Sequence, residues 1–310
     1  MNPVPHPFTR LADEVSSALS EGRGVVALES TLIAQGLPWP ENLETARASE
    51  EAVRAAGAVP ATVAVLGGVV RVGLTAAEVE RVARTARGEG TPLVKAGRRD
   101  LAVAVARGLD AATTVSATLW LARRCGIAVM ATGGLGGVHR DSALTHDVST
   151  DLDELARADG TLVVCSGVKS ILDIPATLER LETLGVVVVG YGTADFPAFT
   201  TRSSGLPLEH RVDTPEEAAA LLRTHQSLGL PGAVVLAQPA PEAHAIPRDE
   251  AEAALAEALA AARREGVGGK AVTPFLLSRL REATGGRTLL ANTALIVQNA
   301  ALAGAVAASR

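Results

Sequence analysis

A lysine held in a turn of small residues can do chemistry that most lysines cannot, and Lys169 stands in such a turn, CSGVKSILD, straight after an apolar run. Ser170, Asp173 and Pro175 mark a helix start just beyond it, so the segment reads as strand, turn and helix. An amine presented there can form an imine with a carbonyl, although a loop lysine in water is the commoner case and the spacing leaves both open. Three other stretches have comparable potential. Glu29 ends VVALE and precedes LIAQGLPWPEN, which reads as loop; its carboxylate can be an acid, a base, a ligand or a solvated strand end. PLVKAGRRD gathers Lys95, Arg98 and Arg99, three cations within five residues, which suit a phosphate monoester or a solvated helix start. MATGGLGGVHRDSALTHDVSTDLDELARADG follows four glycines with Asp147, Asp151, Asp153 and Glu154.

The glycines let a backbone approach a ligand closely, but they make no nucleotide fingerprint. G-x-G-x-x-G from Gly134 would need glycine at His139, and a Walker motif ending in GGKA would need glycine at Arg264 and a hydroxyl at Ala271. Thr150 with Asp153 has capping-box form, and acids in a first helical turn favour the macrodipole. Asp147 falls outside that explanation, and a lone carboxylate with waters and a substrate suits Mg²⁺ or Mn²⁺.

These residues need a frame, and the apolar runs supply one. Val25–Leu28, Thr62–Leu66, Pro92–Lys95, Ile127–Ala131, Thr161–Cys165, Val186–Tyr191 and Ala233–Ala237 are apolar throughout rather than alternating, as strands are when both faces are covered. Helical spacing lies between most of them, as in Leu43, Ala46, Val53 and Ala56, or Leu178, Leu181 and Leu184. The predicted fold is α/β, a mostly parallel sheet with helices on both faces, an α/β/α sandwich. From Pro247 onward only helices are predicted, roughly 248–265, 273–284 and 288–308, broken at Gly268-Gly269 and Gly285-Gly286. The expected organisation is one domain over residues 1–310 with a helical C-terminal layer at about 248–308. The last helix is apolar on most sides, which implies burial against the sheet or another subunit. In such sheets ligands sit at the carboxyl ends of the strands, where all four polar stretches fall.

Composition narrows the partners. Of 310 residues 47% are hydrophobic but only 2% aromatic, so the core must be built from Ala, Val, Leu and Ile. A net charge of −5, from 29 basic and 34 acidic side chains, contains no long single-sign run for a phosphodiester backbone, which argues against nucleic acid. Cys125 and Cys165 lie in or beside apolar runs and read as buried free thiols of a reducing, cytoplasmic compartment. MNPVPHPFTR holds no apolar stretch for a signal peptide, and no run is read as approaching the roughly 18 residues of a membrane span.

Taken together, VALESTLIAQGLPWPEN, KAGRRDL, ATTVSATLWLA, ATGGLGGVHR, HDVSTDL and CSGVKSILD resemble the pseudouridine-5′-phosphate glycosidase family. The resemblance runs from about Leu11 to the last helix and includes GAVPATVAVLGGVVRVGL and VGYGTADFPAF. It implies reversible cleavage of pseudouridine 5′-phosphate to uracil and ribose 5-phosphate with a divalent metal, usually manganese, in a homo-oligomer that is expected to be a trimer. On that likeness Glu29 is the proton donor, Lys169 the nucleophile and Asp147 the metal ligand. Lys95, Val115, Ser149, Thr150 and Asp151 contact the substrate, with Thr132, His139 and Asn292 as further pocket candidates. Two rivals stay open: an aldolase-like lyase acting on another sugar phosphate, and a catalytically silent sugar-phosphate sensor.

The bond to be broken joins the sugar to a carbon of uracil, a poor leaving group, so direct displacement is implausible and ring opening to a lysine imine is the implied route. A free lysine has a pKa of about 10.4, which leaves about 1 amine in 2,500 neutral at pH 7. Bringing it to about 7 takes about 4.6 kcal/mol, whereas a helix N-terminus typically contributes about 0.3–1 kcal/mol. Desolvation and a nearby cation must supply the rest, and the expectation is that Lys95 approaches Lys169.

Overall fold

The computed structural model describes residues 7–267 and 272–310. Eleven strands form one sheet among these residues: β1 (Thr9–Leu11), β2 (Val25–Leu28), β3 (Val59–Leu66), β4 (Val69–Val72), β5 (Val94–Ala96), β6 (Ala111–Thr113), β7 (Val129–Ala131), β8 (Leu162–Cys165), β9 (Val187–Tyr191), β10 (Arg211–Val212) and β11 (Val234–Ala237). The main path runs β1-β4-β3-β2-β7-β8-β11-β9-β10, with β6 also against β3 and β5 beyond it. Every pairing is parallel except β3 with β4 and β3 with β6.

The uniformly apolar runs have the predicted cause. Successive residues of β2 point to opposite faces, Val25 and Ala27 into one core, Val26 and Leu28 into the other, and both cores are covered. The helices Glu41–Ala55, Pro215–Ser227 and Arg287–Ala308 cover one face through Val53, Ala218, Leu222, Ala300 and Val306. The other face carries Val115–Arg124, Thr150–Leu155, Ile174–Thr183, Arg248–Arg264 and Val272–Ala283, through Leu119, Leu152, Leu181, Leu255 and Leu276. This is the predicted α/β/α arrangement with a helical C-terminal part, in which Arg248–Arg264 and Val272–Ala283 lie on one face and Arg287–Ala308 on the other.

The alanine-rich tail is explained by how closely the last helix approaches its neighbours. A Cβ on Gly304 would lie 3.0 Å from the Val53 carbonyl oxygen and 2.8 Å from the Ala56 Cβ. Small side chains here allow two helix backbones to touch, so rings are not needed to fill the layer. By length and composition this 22-residue helix could cross a membrane, contrary to the expectation that no run reaches such a length. Half of its apolar window is buried inside the fold against Glu41–Ala55 and the sheet, which makes it a core helix.

Other expectations need correction. β4 was not predicted because it alternates half-buried and buried residues, and it joins β3 through Gly67 and Gly68, both at positive φ, as an antiparallel hairpin. β1, β6 and β10 are two or three residues long, too short to show a pattern. LIAQGLPWPEN is not simply loop: Leu32–Gly36 form a π-helical turn that begins three residues after Glu29. The Gly285-Gly286 break is present, both residues at positive φ, whereas Gly268-Gly269 and the Lys270-Ala271 part of the excluded Walker motif lie outside the described residues. Cys125 and Cys165 are free and buried, and burial pushes their thiols up to about 11 and about 12.

Candidate active site

β2, β7 and β8 are adjacent, so the residues following them, Glu29, Thr132 and Ser166, meet at one edge of the sheet. Glu29 is 5% exposed, which removes the solvated strand-end reading. Thr132 Oγ1 donates to its Oε1 and Thr31 Oγ1 to its Oε2. A threonine hydroxyl can donate or accept, so this pair accommodates both the carboxylate and the acid, as a proton donor requires. A cavity of about 20 Å³ adjoins it, lined by Leu28, Ile33, Thr62, Ala131 and Ile296, with room for roughly one water.

Beyond the strands, the ladder between β7 and β8 continues into the glycine segment. Thr132 N–H donates to Val164 O (3.0 Å), Ser166 N–H to Gly133 O (2.9 Å), Leu135 N–H to Gly167 O (2.9 Å) and Lys169 N–H to Leu135 O (3.2 Å). The lysine backbone is thereby fixed to Leu135, and its helix follows only at Ile174, capped by Asp173 accepting from the Ala176 amide at 3.0 Å. Lys169 is half-buried and, among the described residues, has no ion pair to a carboxylate.

The same segment holds the third group. Asp151, 6% exposed, accepts the Gly136 amide on Oδ2 (3.0 Å) and the Ser116 amide on Oδ1 (2.9 Å). A Cβ on Gly136 would stand 2.2 Å from Ser149 Oγ, so only glycine allows this approach. Ser149 caps Thr150–Leu155, accepting the Asp151 amide at 3.2 Å. Thr150 Oγ1 lies 3.2 Å from Ser116 Oγ, which lies 3.0 Å from Thr114 Oγ1 and accepts the Arg98 amide at 3.4 Å. Val115, the first residue of its helix, is buried beside them. The Lys95 loop, the Val115 helix start and residues 149–151 therefore converge, with hydroxyls and backbone amides facing one another. Lys95 itself is exposed on β5, paired in register with Ala112.

Asp147 lies on the loop between the glycine segment and Ser149, its side chain 45% exposed, with His139 Nε2 3.8 Å from Oδ2. No group of three or more His, Cys, Asp or Glu suited to a metal occurs among the described residues. One carboxylate with an imidazole alongside still fits a hard divalent cation that keeps most of its ligands as water and substrate oxygens.

A larger cleft of about 270 Å³ is lined by Ser170, which follows Lys169 in the chain, and by Phe199, Leu37, Leu289, Arg281 and Asn292. Asn292 Oδ1 is buried there without a hydrogen-bond donor among the described residues. Three supporting residues were not predicted. Asn299, fully buried, donates through Nδ2 to Thr132 O (2.9 Å) and Ser166 Oγ (3.1 Å), tying the last helix to the glycine segment. Its one sequence signal is an amide inside the apolar LIVQNAAL. Thr31 and the positive-φ Phe199, whose amide donates to Ser166 O at 2.9 Å, gave no such signal.

An α/β sheet with a buried carboxylate, a half-buried lysine and a glycine segment at its carboxyl edge defines an α/β enzyme. The sequence matches the family described as indigoidine synthase A like protein over residues 14–309. It is 54% identical over 304 residues to the pseudouridine-5′-phosphate glycosidase of Methylobacterium nodulans, covering 98% of this chain and 88% of the relative. It is 55% identical over 299 residues to that of Streptomyces griseus, covering 96% and 90%. The crystal structure of the prealnumycin C-glycosynthase AlnA in complex with ribulose 5-phosphate superposes with a TM-score of 0.89 at 41% identity, covering 98% of this chain and 97% of that one. An indigoidine synthase A-like protein from Thermotoga maritima gives 0.87 at 39%, with the same coverage. The chain belongs to the indigoidine synthase A-like family, which includes the pseudouridine-5′-phosphate glycosidases.

Proposed function

We propose that the chain reversibly cleaves the carbon–carbon glycosidic bond of pseudouridine 5′-phosphate to uracil and ribose 5-phosphate, with Lys169 as nucleophile and Glu29 as proton donor. The observation that carries this reading is that one segment, residues 132–136, holds all three parts: Thr132 bonds Glu29, Leu135 bonds the Lys169 backbone, and Gly136 bonds Asp151. Glycosidases in the same family, and a relative crystallised with a sugar phosphate, support the substrate class.

In the proposed sequence Glu29 protonates the ribose ring oxygen while the neutral Lys169 amine bonds to C1′, breaking the C1′–O4′ bond. The Lys169 nitrogen, now positively charged, gives up a proton, and its electron pair forms the double bond to C1′ while the pair of the C1′–uracil bond leaves with uracil C5, which takes up that proton; a protonated imine then joins C1′ to Lys169. Water adds to that imine, releasing ribose 5-phosphate and returning the neutral amine, with the proton set free going back to Glu29. Lys95, Val115, Ser149, Thr150 and Asp151 contact the sugar phosphate, with Asp151 held in place by the Ser116 and Gly136 amides. Lys95 reaching toward Lys169 is the proposed source of the cation that favours the neutral amine. Asp147, with His139 alongside, would hold Mn²⁺ or Mg²⁺, which supplies charge neutralisation for sugar and phosphate oxygens. The proposal extends to a cytoplasmic homotrimer, each chain one domain over residues 1–310, without nucleic-acid or membrane partners.

Borohydride added with ribose 5-phosphate and Mn²⁺ is expected to trap a covalent adduct on Lys169, located by peptide mass. Lys169→Ala should lose both the adduct and uracil release from pseudouridine 5′-phosphate. Uracil release persisting in that variant would overturn the imine route.

A further inference from the structure

Of the three cations in the Lys95 loop, Arg98 is paired with a buried carboxylate. Its Nε lies 2.9 Å from Glu154 Oε2, and the Glu154 side chain is 1% exposed. The contact is not aligned as a hydrogen bond, so both carboxylate oxygens remain without a donor among the described residues. The Arg99 side chain is 71% exposed, and its ion-pair partner among the described residues is Asp100 at 3.8 Å. The Arg98 backbone meanwhile donates to Ser116 Oγ, and the Gly97 amide donates to Asp100 Oδ2 at 2.9 Å. The segment that follows Lys95 is therefore held at its backbone by the Val115 helix start and at its side chain by Glu154.

Glu154 belongs to the same six-residue helix, Thr150–Leu155, that carries Thr150 and Asp151. One short helix thus fixes both walls of the converging surface, Asp151 through backbone amides and Glu154 through Arg98. We propose that the Glu154–Arg98 pair is an internal clamp that positions the Lys95 loop for the sugar phosphate and loosens when Glu154 takes up a proton. This rests on the reading of that surface as the sugar-phosphate site.

The charges around Glu154 make the clamp sensitive near neutrality. Burial pushes its carboxyl up to about 7, against the opposing pull of Arg98 from the loop, Arg157 from the end of its own helix and Arg123 from Val115–Arg124; Asp151 adds to the rise. Arg123 is engaged elsewhere, with Asp159 at 3.0 Å and the Arg157 carbonyl at 2.7 Å, which leaves Arg98 as the direct partner. Above that pH the carboxylate holds the guanidinium by charge; below it a neutral acid holds it weakly. Glu154 and Arg98 are positioning residues, since neither needs to touch the substrate.

The test is steady-state kinetics of the full-length enzyme from pH 5.5 to 8.5, using pseudouridine 5′-phosphate with saturating Mn²⁺. In the unaltered protein KM should rise as pH falls through about 7, beyond the change due to the phosphate itself, whose second pKa is about 6. Glu154→Gln is expected to raise KM about tenfold at pH 8 with a much smaller change in kcat, and to abolish the part of the pH dependence that the phosphate does not explain. Arg98→Gln should do the same, and the double variant should be no worse than either single one. Additive effects of the two substitutions, or an unchanged KM profile in Glu154→Gln, would overturn the clamp. Calorimetric binding of ribose 5-phosphate to the same proteins at pH 6 and 8 repeats the comparison without turnover. An absence of uracil release by the unaltered protein then counts against the proposed function, while unaltered ribose 5-phosphate affinity in the variants counts against the clamp. If Glu154→Gln does not fold, the pH dependence of Arg98→Gln decides alone.

Discussion

The Glu29 wall and the Asp147 wall of the site are built in opposite ways. Glu29 is 5% exposed, hydrogen-bonded on both oxygens and backed by the fully buried Asn299, whose helix packs on the sheet. The Asp147 side chain is 45% exposed on a loop that also leaves Leu144 86% exposed, and among the described residues its carboxylate has one close partner, His139 at 3.8 Å. Electrostatic groups that are preorganised need not reorganise during reaction, whereas solvated ones must be gathered by the ligand. The Glu29 side is set by the fold. The Asp147 side, on the proposed reading, is set by what binds.

Three substitutions would break or sharpen that contrast. Glu29→Gln should lower kcat by about 10²–10⁴ while the denaturation midpoint barely moves, since proton transfer from a positioned group typically has that magnitude; near-normal turnover would remove Glu29 from the proton-donor role. Asn299→Ala should destabilise the protein by about 1–3 kcal/mol in urea unfolding, because it leaves the Thr132 carbonyl and Ser166 hydroxyl buried without their partner. A loss well below that range would mean the acid wall is not held from the last helix. Asp147→Asn should leave folding unchanged and raise the Mn²⁺ concentration for half-maximal activity about tenfold, equivalent to about 1.4 kcal/mol. Mn²⁺ activation indistinguishable from the unaltered protein would move the cation elsewhere.

Much of the frame was legible because a sheet covered on both faces leaves a plain signature, unbroken apolar runs such as Leu162–Cys165 and Val234–Ala237. The same physics hid β6 and β10, whose few residues cannot display a period, and β4, whose alternation was read through as connection. Lys169, Glu29 and Asp151 could be selected as residues, but not their relation to one another. That depends on backbone hydrogen bonds from the glycine segment, and backbone bonds carry no residue type. Asp151 is the instructive instance: a carboxylate reads as a ligand-binding group in the sequence, and here both oxygens are occupied by amides. Arg98 likewise reads as a phosphate partner until its buried counterpart Glu154 is seen.

The hydrogen-bond ladder that runs past the ends of β7 and β8 also determines how the site moves. The amides of Leu135, Ser166 and Lys169 are rungs of that ladder and should exchange with solvent deuterium as slowly as the neighbouring strands, since opening them means unzipping the sheet. The segment from Arg140 to Thr145, outside the ladder, is free to exchange through local fluctuations. The turn that carries Lys169 therefore has no separate melting unit of its own, and its persistence over time is that of the sheet's central strands.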